Sequence, residues 1–334
     1  MVIRLPSKAL KGCFALLFHA LFGCAVELGA QQATLQTLYW QNPMGWNPAA
    51  AGAEDDGCVL VAARQQWIGL DGAPSSQWAG GSLPLFYLRS GAGLMVANDL
   101  QGALRRTEVS AAWGYRIVGT ETLRLTAGLG VSLVQASLDG SRLRAPDGNY
   151  EGGSFTHNDG IVPEGNLSAA SPDLSLGVDL RYRGLRVGLS ATGLLASRAS
   201  LTPDQSRQLR WSRNYNLGLA YDWAAGRGWG LRPSLFLRTD GIKMQLDAGV
   251  SALIGDNIFT GISFRGFSDR SADALCFSAG LRWKNGLSVA YAYDAGISPL
   301  RSVQTGTHEL LLSYRFRAPG KGRPPRIIYT PRFL

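Results

Sequence analysis

Apolar and polar residues alternate with period two through most of the chain. Across residues 123–133 every odd position is apolar and every even position is polar or Gly. The same alternation runs through 185–191 and 242–250, and returns near the end. There His308, Leu310, Leu312, Tyr314 and Phe316 interleave with Glu309, Leu311, Ser313 and Arg315. Successive side chains of a strand point to opposite faces, so this pattern makes one apolar and one polar face. A helix would scatter the same residues around its circumference. Fourteen candidate strands follow, at 57–70, 76–86, 90–98, 105–117, 121–138, 173–183, 185–195, 209–223, 228–239, 241–254, 257–267, 273–284, 286–294 and 306–316. Most approach or exceed the roughly 9–11 residues that a tilted strand needs to cross a bilayer.

The connections sort by length. Counted from a periplasmic amino terminus, the turns at 87–89, 118–120, 184, 224–227, 255–256 and 285 are short. Those at 139–172, 196–208, 268–272 and 295–305 are long, with 239–241 a short exception on the same side. Short periplasmic turns and longer outer loops are the rule for outer-membrane barrels, whose bacterial members have even strand numbers. The predicted fold is therefore all-β, a transmembrane antiparallel β-barrel of about fourteen strands. Trp67, Trp113, Tyr115, Tyr182, Tyr221, Trp223, Trp283, Tyr293, Tyr314 and Phe316 lie near strand ends. They read as interfacial girdles, or alternatively as core aromatics of a soluble barrel; the sorting of the loops favours the girdles.

Composition agrees. Charged residues make up 17% of the chain, against roughly 25% in soluble domains. The 42 glycines and the many aromatics suit strands that meet lipid on one face. The formal charge of +9 is concentrated at the ends: Arg4, Lys8 and Lys11 against Glu27 at the start, and Arg317, Lys321, Arg323, Arg326 and Arg332 at the finish. The strand region has no broad basic face, so nucleic acid is not an expected partner.

Residues 1–30 read as a signal peptide, with a basic start, an apolar stretch from Cys13 to Val26 interrupted by His19, and small residues before mature Gln31. A second reading makes 21–24 a lipobox and Cys24 a lipidated residue, although Phe22 suits it poorly. Residues 31–56 form an amino-terminal periplasmic or plug-like segment, 57–316 the barrel, and 317–334 a basic periplasmic tail. The tail is too rich in proline to pair as sheet. It is either a docking strip, through residues 327–329, or a solvated end. Cys58 and Cys276, the cysteines beyond the signal, read as free thiols more readily than as a pair.

No enzyme signature emerges, and no cofactor or metal is expected. His157 and His308 have no metal-ligand spacing around them, and His308 falls within a strand. Gly128-Leu129-Gly130 belongs to an alternating strand and is no phosphate loop. Arg124, Arg181, Lys243, Arg265 and Arg282 could line a polar lumen.

Several longer motifs carry a resemblance. They are residues 41–52, with Asn42, Pro43, Asn47, Pro48 and Gly52; residues 64–74, with Trp67, Gly69, Asp71, Gly72 and Pro74; Gly93-Leu94 with Asn98-Asp99; Pro172-Asp173; and residues 305–316, with His308 and Glu309. In this order and together they resemble the PorP/SprF family, membrane proteins of the type IX secretion system of Bacteroidetes-type bacteria. Ala50 stands where the family's opening motif has an aromatic, and the tail after Phe316 is extra. The resemblance implies a non-catalytic outer-membrane component that helps secrete or hold large surface proteins of the gliding-adhesin type. Its partners would be secretion components, secreted surface proteins, periplasmic or lipoprotein partners and outer-membrane lipid. It marks the named motif residues as candidate partner-binding or structural positions. The alternative function is a passive or substrate-selective outer-membrane pore.

Two structural expectations follow. Residues 36–52 pack against or inside the periplasmic mouth, as a plug or a docking strip. In the last strand Leu310, Leu312, Tyr314 and Phe316 face lipid, while Glu309, Ser313 and Arg315 face the lumen, with Leu311 turned to water.

Overall fold

The computed structural model describes residues 35–151, 155–160, 162–201, 208–226, 228–255, 257–267 and 272–318. The proposed signal peptide with Cys24, and the tail from 319 onward, lie outside the described residues. Seventeen strands are described: β1 (Asp56–Gln65), β2 (Ser75–Leu85), β3 (Ser90–Gln101), β4 (Leu104–Gly119), β5 (Leu123–Asp139), β6 (Asn166–Tyr182), β7 (Leu185–Thr192), β8 (Arg198–Ser200), β9 (Gln208–Arg210), β10 (Asn214–Tyr221), β11 (Trp223–Gly226), β12 (Trp229–Thr239), β13 (Met244–Ile254), β14 (Ile258–Phe267), β15 (Ala272–Arg282), β16 (Leu287–Gly296) and β17 (Thr307–Arg317). Each wall strand pairs antiparallel with its neighbour in sequence, β1 closes on β17, and β10 pairs directly with β12. The result is a closed antiparallel barrel of fourteen strands. β8 and β9 form a separate outer hairpin, and β11 is a short extension beyond β10.

The wall is apolar outside and polar inside. Leu129, Val131 and Leu133 are about half exposed on the outer face of β5, while Thr126, on the inner face of the same strand, is fully buried. In water this would be an exposed apolar band; in a bilayer it faces acyl chains. The girdle lies mostly at the short-turn end, the end expected to be periplasmic: Tyr115, Tyr182, Tyr221, Trp223, Trp283 and Tyr314 stand outward there.

Strand ends depart from the alternation where turn geometry intervenes. β1 stops at Gln65, not 70, because Trp67, Gly69 and Gly72 take positive φ values of 46°, 103° and 71° and build a loop. β6 begins at Asn166, seven residues early, because 166–172 pair with β5 above the membrane band. The expected strand 209–223 is split among β9, β10 and β11. Lys243 sits in the exposed outer turn before β13 and does not line the lumen. Cys58 and Cys276 are free thiols on β1 and β15.

Candidate functional site

The lumen is occupied by the chain's own amino-terminal segment. From Thr37, level with the outer ends of β1 and β17, the segment crosses the barrel and reaches Asp55 at the periplasmic end of β1. Of the two forms expected for 36–52, a plug or a docking strip, it takes that of a plug, and it runs through the lumen rather than stopping at the mouth. The opening motif shapes it. Asn42 and Asn47 each precede a short 3-10 turn, Pro43–Gly45 and Pro48–Gly52. Proline at the first position has no N–H to leave unsatisfied and a preset φ. Asn47 caps its turn by accepting from Ala49 N at 3.0 Å and donates to Val178 O on β6 at 3.0 Å. Both asparagines are 1% exposed.

A belt of glycines receives the plug. Gly91, Gly114, Gly128 and Gly177 on β3 to β6 are direct cross-strand partners in succession. Ala51, Gly52, Ala49 and Asn47 lie against them in that order. A methyl group on Gly114 would stand 2.6 Å from Gly52 N, inside van der Waals contact. Gly188 and Gly218 extend the belt and admit the Trp46 indole. These are close-approach glycines: any side chain would lift the plug from the wall.

Apolar packing fixes the middle. Leu38 sits in a cluster with Ala62, Trp78, Met95, Ala290 and Leu311. Tyr39 stacks on Phe236 with ring centres 4.6 Å apart, and Trp46 meets the same ring edge-on at 5.1 Å. The Trp46 indole donates to Tyr39 O at 3.2 Å. The interior is therefore not uniformly polar. Leu311, expected to face water, is 1% exposed and packs on the plug.

Ions clamp both ends. At the outer end Thr37 Oγ1 donates to Asp294 at 2.8 Å, and Thr37 N and Leu38 N donate to the Glu309 carboxylate at 2.7 and 3.1 Å. Arg64 bridges Asp294 at 2.7 Å and Glu309 at 2.9 Å; Arg265 bridges Asp247 at 2.6 Å and Asp294 at 2.8 Å. All five charged side chains are nearly inaccessible. At the periplasmic end Asp55 meets Arg116 at 3.0 Å and Arg124 at 2.6 Å, and Glu54 meets Arg181 at 3.0 Å. Burial alone would raise the Glu54 carboxyl's pKa, but the Arg181 guanidinium outweighs it and brings the value down to about 2. Asp55 is held below the usual carboxylate range against the same desolvation by Arg124 and Arg116.

The second and last motifs meet at the outer rim, away from the plug. Ile68 N donates to Gly306 O at 3.0 Å, Thr305 N donates to Ile68 O at 2.8 Å, and Trp67 N donates to Thr307 Oγ1 at 3.3 Å. Gln66 N closes the loop on Pro74 O at 2.9 Å, and Gly72 O accepts from Gly102 N at 3.1 Å. Asp71 is exposed on this rim. His308 turns outward between the rings of Tyr291 and Tyr293, while its neighbour Glu309 turns inward to the plug. The candidate residues thus form a plug set and a rim set, joined through Glu309. The sequence reading missed Thr37, Asp247 and Asp294, and placed Arg265 only as a lumen residue. A carboxylate on an inward position of an alternating strand was the available signal.

Two cavities flank the plug. The outer one, about 170 Å³, is bounded by Met44, Gly45, Trp46 and Pro48; the inner one, about 520 Å³, by Pro43, Trp46 and Asn47. Trp46 lines both, so residues 43–48 form a septum between them. Among the described residues no helix is long and apolar enough to cross a membrane, and no group of three metal-ligating side chains is assembled.

Residues 28–314 match the type IX secretion system membrane protein family PorP/SprF. The chain belongs to this family. Its closed barrel, with an apolar band outside, makes it an outer-membrane member of the type IX secretion system. Solved barrels with similar folds include Omp33 of Acinetobacter baumannii, 9% identical, covering 79% of this chain and 100% of that one, with a TM-score of 0.45. The toluene transporter TbuX of Ralstonia pickettii is 10% identical, covering 87% and 96%, at 0.48. The toluene transporter TodX of Pseudomonas putida is 11% identical, covering 81% and 92%, at 0.48. No curated protein matches the chain. In this PorP/SprF chain the opening motif, residues 41–52, forms the middle of the plug.

Proposed function

We propose that this barrel is a non-catalytic, partner-binding component of type IX secretion that assists the secretion or surface attachment of large adhesin-type proteins. The observation that carries the reading is the plug clamped at both ends by buried or half-buried ion pairs. A wall filled this way offers binding faces at its two rims and not a permanent aqueous path. The rim where residues 66–74 meet 305–307 would face surface proteins, and the periplasmic mouth would face periplasmic or lipoprotein partners. The motif residues Asn42, Pro43, Asn47, Pro48 and Gly52 would act by holding the plug; Trp67, Gly69, Asp71, Gly72 and Pro74 would form the rim. The test is copurification of the tagged full chain from its native envelope, paired with planar-bilayer conductance. Secretion components should copurify and conductance should be low. A high steady conductance with no copurifying partner would support the pore reading instead.

A further inference from the structure

The periplasmic end of the lumen concentrates guanidinium groups in a row. Arg124 on β5 is the direct cross-strand partner of Arg181 on β6, which is the direct partner of Arg186 on β7. Like charges placed opposite one another across strands destabilise a sheet. Such a row is stable only with anions held against it, and the chain supplies some itself. Glu54 and Asp55, successive in sequence, bond Arg181 and Arg124. The main chain beside them is read as well: Arg124 donates to Ala53 O at 2.7 Å, and Arg116 to Gly52 O and Glu54 O at 3.2 and 3.3 Å. The row therefore already binds a short acidic peptide, the end of the plug.

Asp179 on β6 also pairs Arg181, at 3.0 Å, and lines the same side of the lumen; beyond Glu54 and Asp179 the basic wall continues. Arg186 and Arg232 share a single carboxylate, Asp222, each through its Nε. With Arg282 and Arg315 they border the 520 Å³ inner cavity, which lies among the short-turn ends of β6, β7, β11 to β15 and β17. Planar guanidinium forks recognise carboxylates through paired hydrogen bonds, and wall arginines on neighbouring strands are held in place for it.

We propose that this cavity binds an acidic peptide segment presented from the periplasm, continuing the row that Glu54 and Asp55 begin. The proposal rests on the partner-binding reading and names the chemistry of the periplasmic partner. Choice of a peptide follows from the bound pattern in the chain itself: consecutive carboxylates with their backbone carbonyls, on adjacent arginines.

Fluorescence anisotropy with fluorescein-labelled hexa-aspartate and the purified full chain in detergent tests it, with hexalysine and inorganic phosphate as comparison probes. Hexa-aspartate should bind, hexalysine should not, and added salt should weaken binding. Arg232→Gln and Arg186→Gln should each weaken it about tenfold, in line with loss of one charge-assisted contact. Arg106→Gln, in the outer cavity, should leave it unchanged. Heat-modifiable gel migration certifies closure of each variant; if Arg186→Gln does not close, Arg232→Gln decides. Binding that is indifferent to Arg232→Gln, equal for hexalysine, or fully displaced by millimolar phosphate would overturn the proposal. Copurifying partners without peptide binding would remove this site alone and leave the partner-binding function standing.

Discussion

Arg64 and Asp294 meet at 2.7 Å inside the barrel, with 1% and 4% of their side chains accessible. They stand on β1 and β16, two strands apart across β17, and Thr37 of the plug bonds both. The pair therefore ties the closure of the barrel to the seating of the plug. Without the Asp294 charge, Arg64 keeps Glu309 and Arg265 keeps Asp247, so the loss is that of the charge-assisted bonds Asp294 accepts from Arg64, Arg265 and Thr37, roughly 1.5–3 kcal/mol each. Asp294→Asn should lower the denaturant midpoint of the detergent-solubilised barrel accordingly. Thr37→Val, which removes a hydroxyl but no charge, should cost less, about 1–3 kcal/mol. Equal midpoints for Asp294→Asn and wild type would show that the clamp contributes nothing to stability.

The glycine belt sets a conductance prediction. A side chain at Gly128 collides with the Ala49 backbone. Gly128→Val should displace the plug without altering the outer face, and so raise planar-bilayer conductance several-fold. Gly226→Ala, where an added methyl meets no neighbour, should leave conductance unchanged. A closed Gly128→Val barrel that stays silent would mean that the plug tolerates lifting.

In the last strand, two adjacent substitutions report on two environments. Leu312 is 41% exposed on the outer face, so Leu312→Arg places a charge in lipid at a cost of about 2–4 kcal/mol. Leu311 is buried against the plug, so Leu311→Arg should be no better tolerated, and Leu311→Ala should itself cost about 2–5 kcal/mol. Heat-modifiable mobility of the three variants measures the folded fraction. Wild-type behaviour of Leu311→Arg would place a water-filled space where the apolar cluster stands.

Acid should loosen the periplasmic clamp. Glu54 has its pKa lowered from 4.5 to about 2 in the folded chain. A depressed carboxylate contributes stability that is fully present above its unfolded value and is lost as pH falls toward the folded one. The window is thus about pH 4.5 down to about 2. Since 31% of the Glu54 side chain is accessible, solvent screens part of the effect. Conductance should rise on the periplasmic side's acidification within this window, and Glu54→Gln should abolish that response. A response unchanged in Glu54→Gln would assign it elsewhere.

Topology can be read in intact cells. Asp71 lies in the outer loop between β1 and β2, and Asn285 in the short turn between β15 and β16; both are exposed. A membrane-impermeant maleimide should label Asp71→Cys and spare Asn285→Cys until the outer membrane is breached. The reverse order would invert the barrel.

Sequence by itself determined the wall. Period two in residues such as 123–133 sets each side chain's face whatever strand it pairs with, because the pleat alternates independently of neighbours. Alternation broken by turns set the strand count, and the joint order of motifs set the family. Strand ends were less legible: Trp67 at positive φ ends β1 within an apolar run that reads as continuing. Only the tertiary structure decided what fills the lumen. Nothing local distinguishes Gly128 as a floor for Ala49 from a glycine of ordinary strand composition, since the distinction is a contact between segments about eighty residues apart. Nor could the pattern tell that Leu311 faces the plug, or that Arg64, Asp294 and Glu309 converge on Thr37. Alternation fixes the direction in which a side chain points; what it meets there depends on the closed barrel and on the chain that is folded through it.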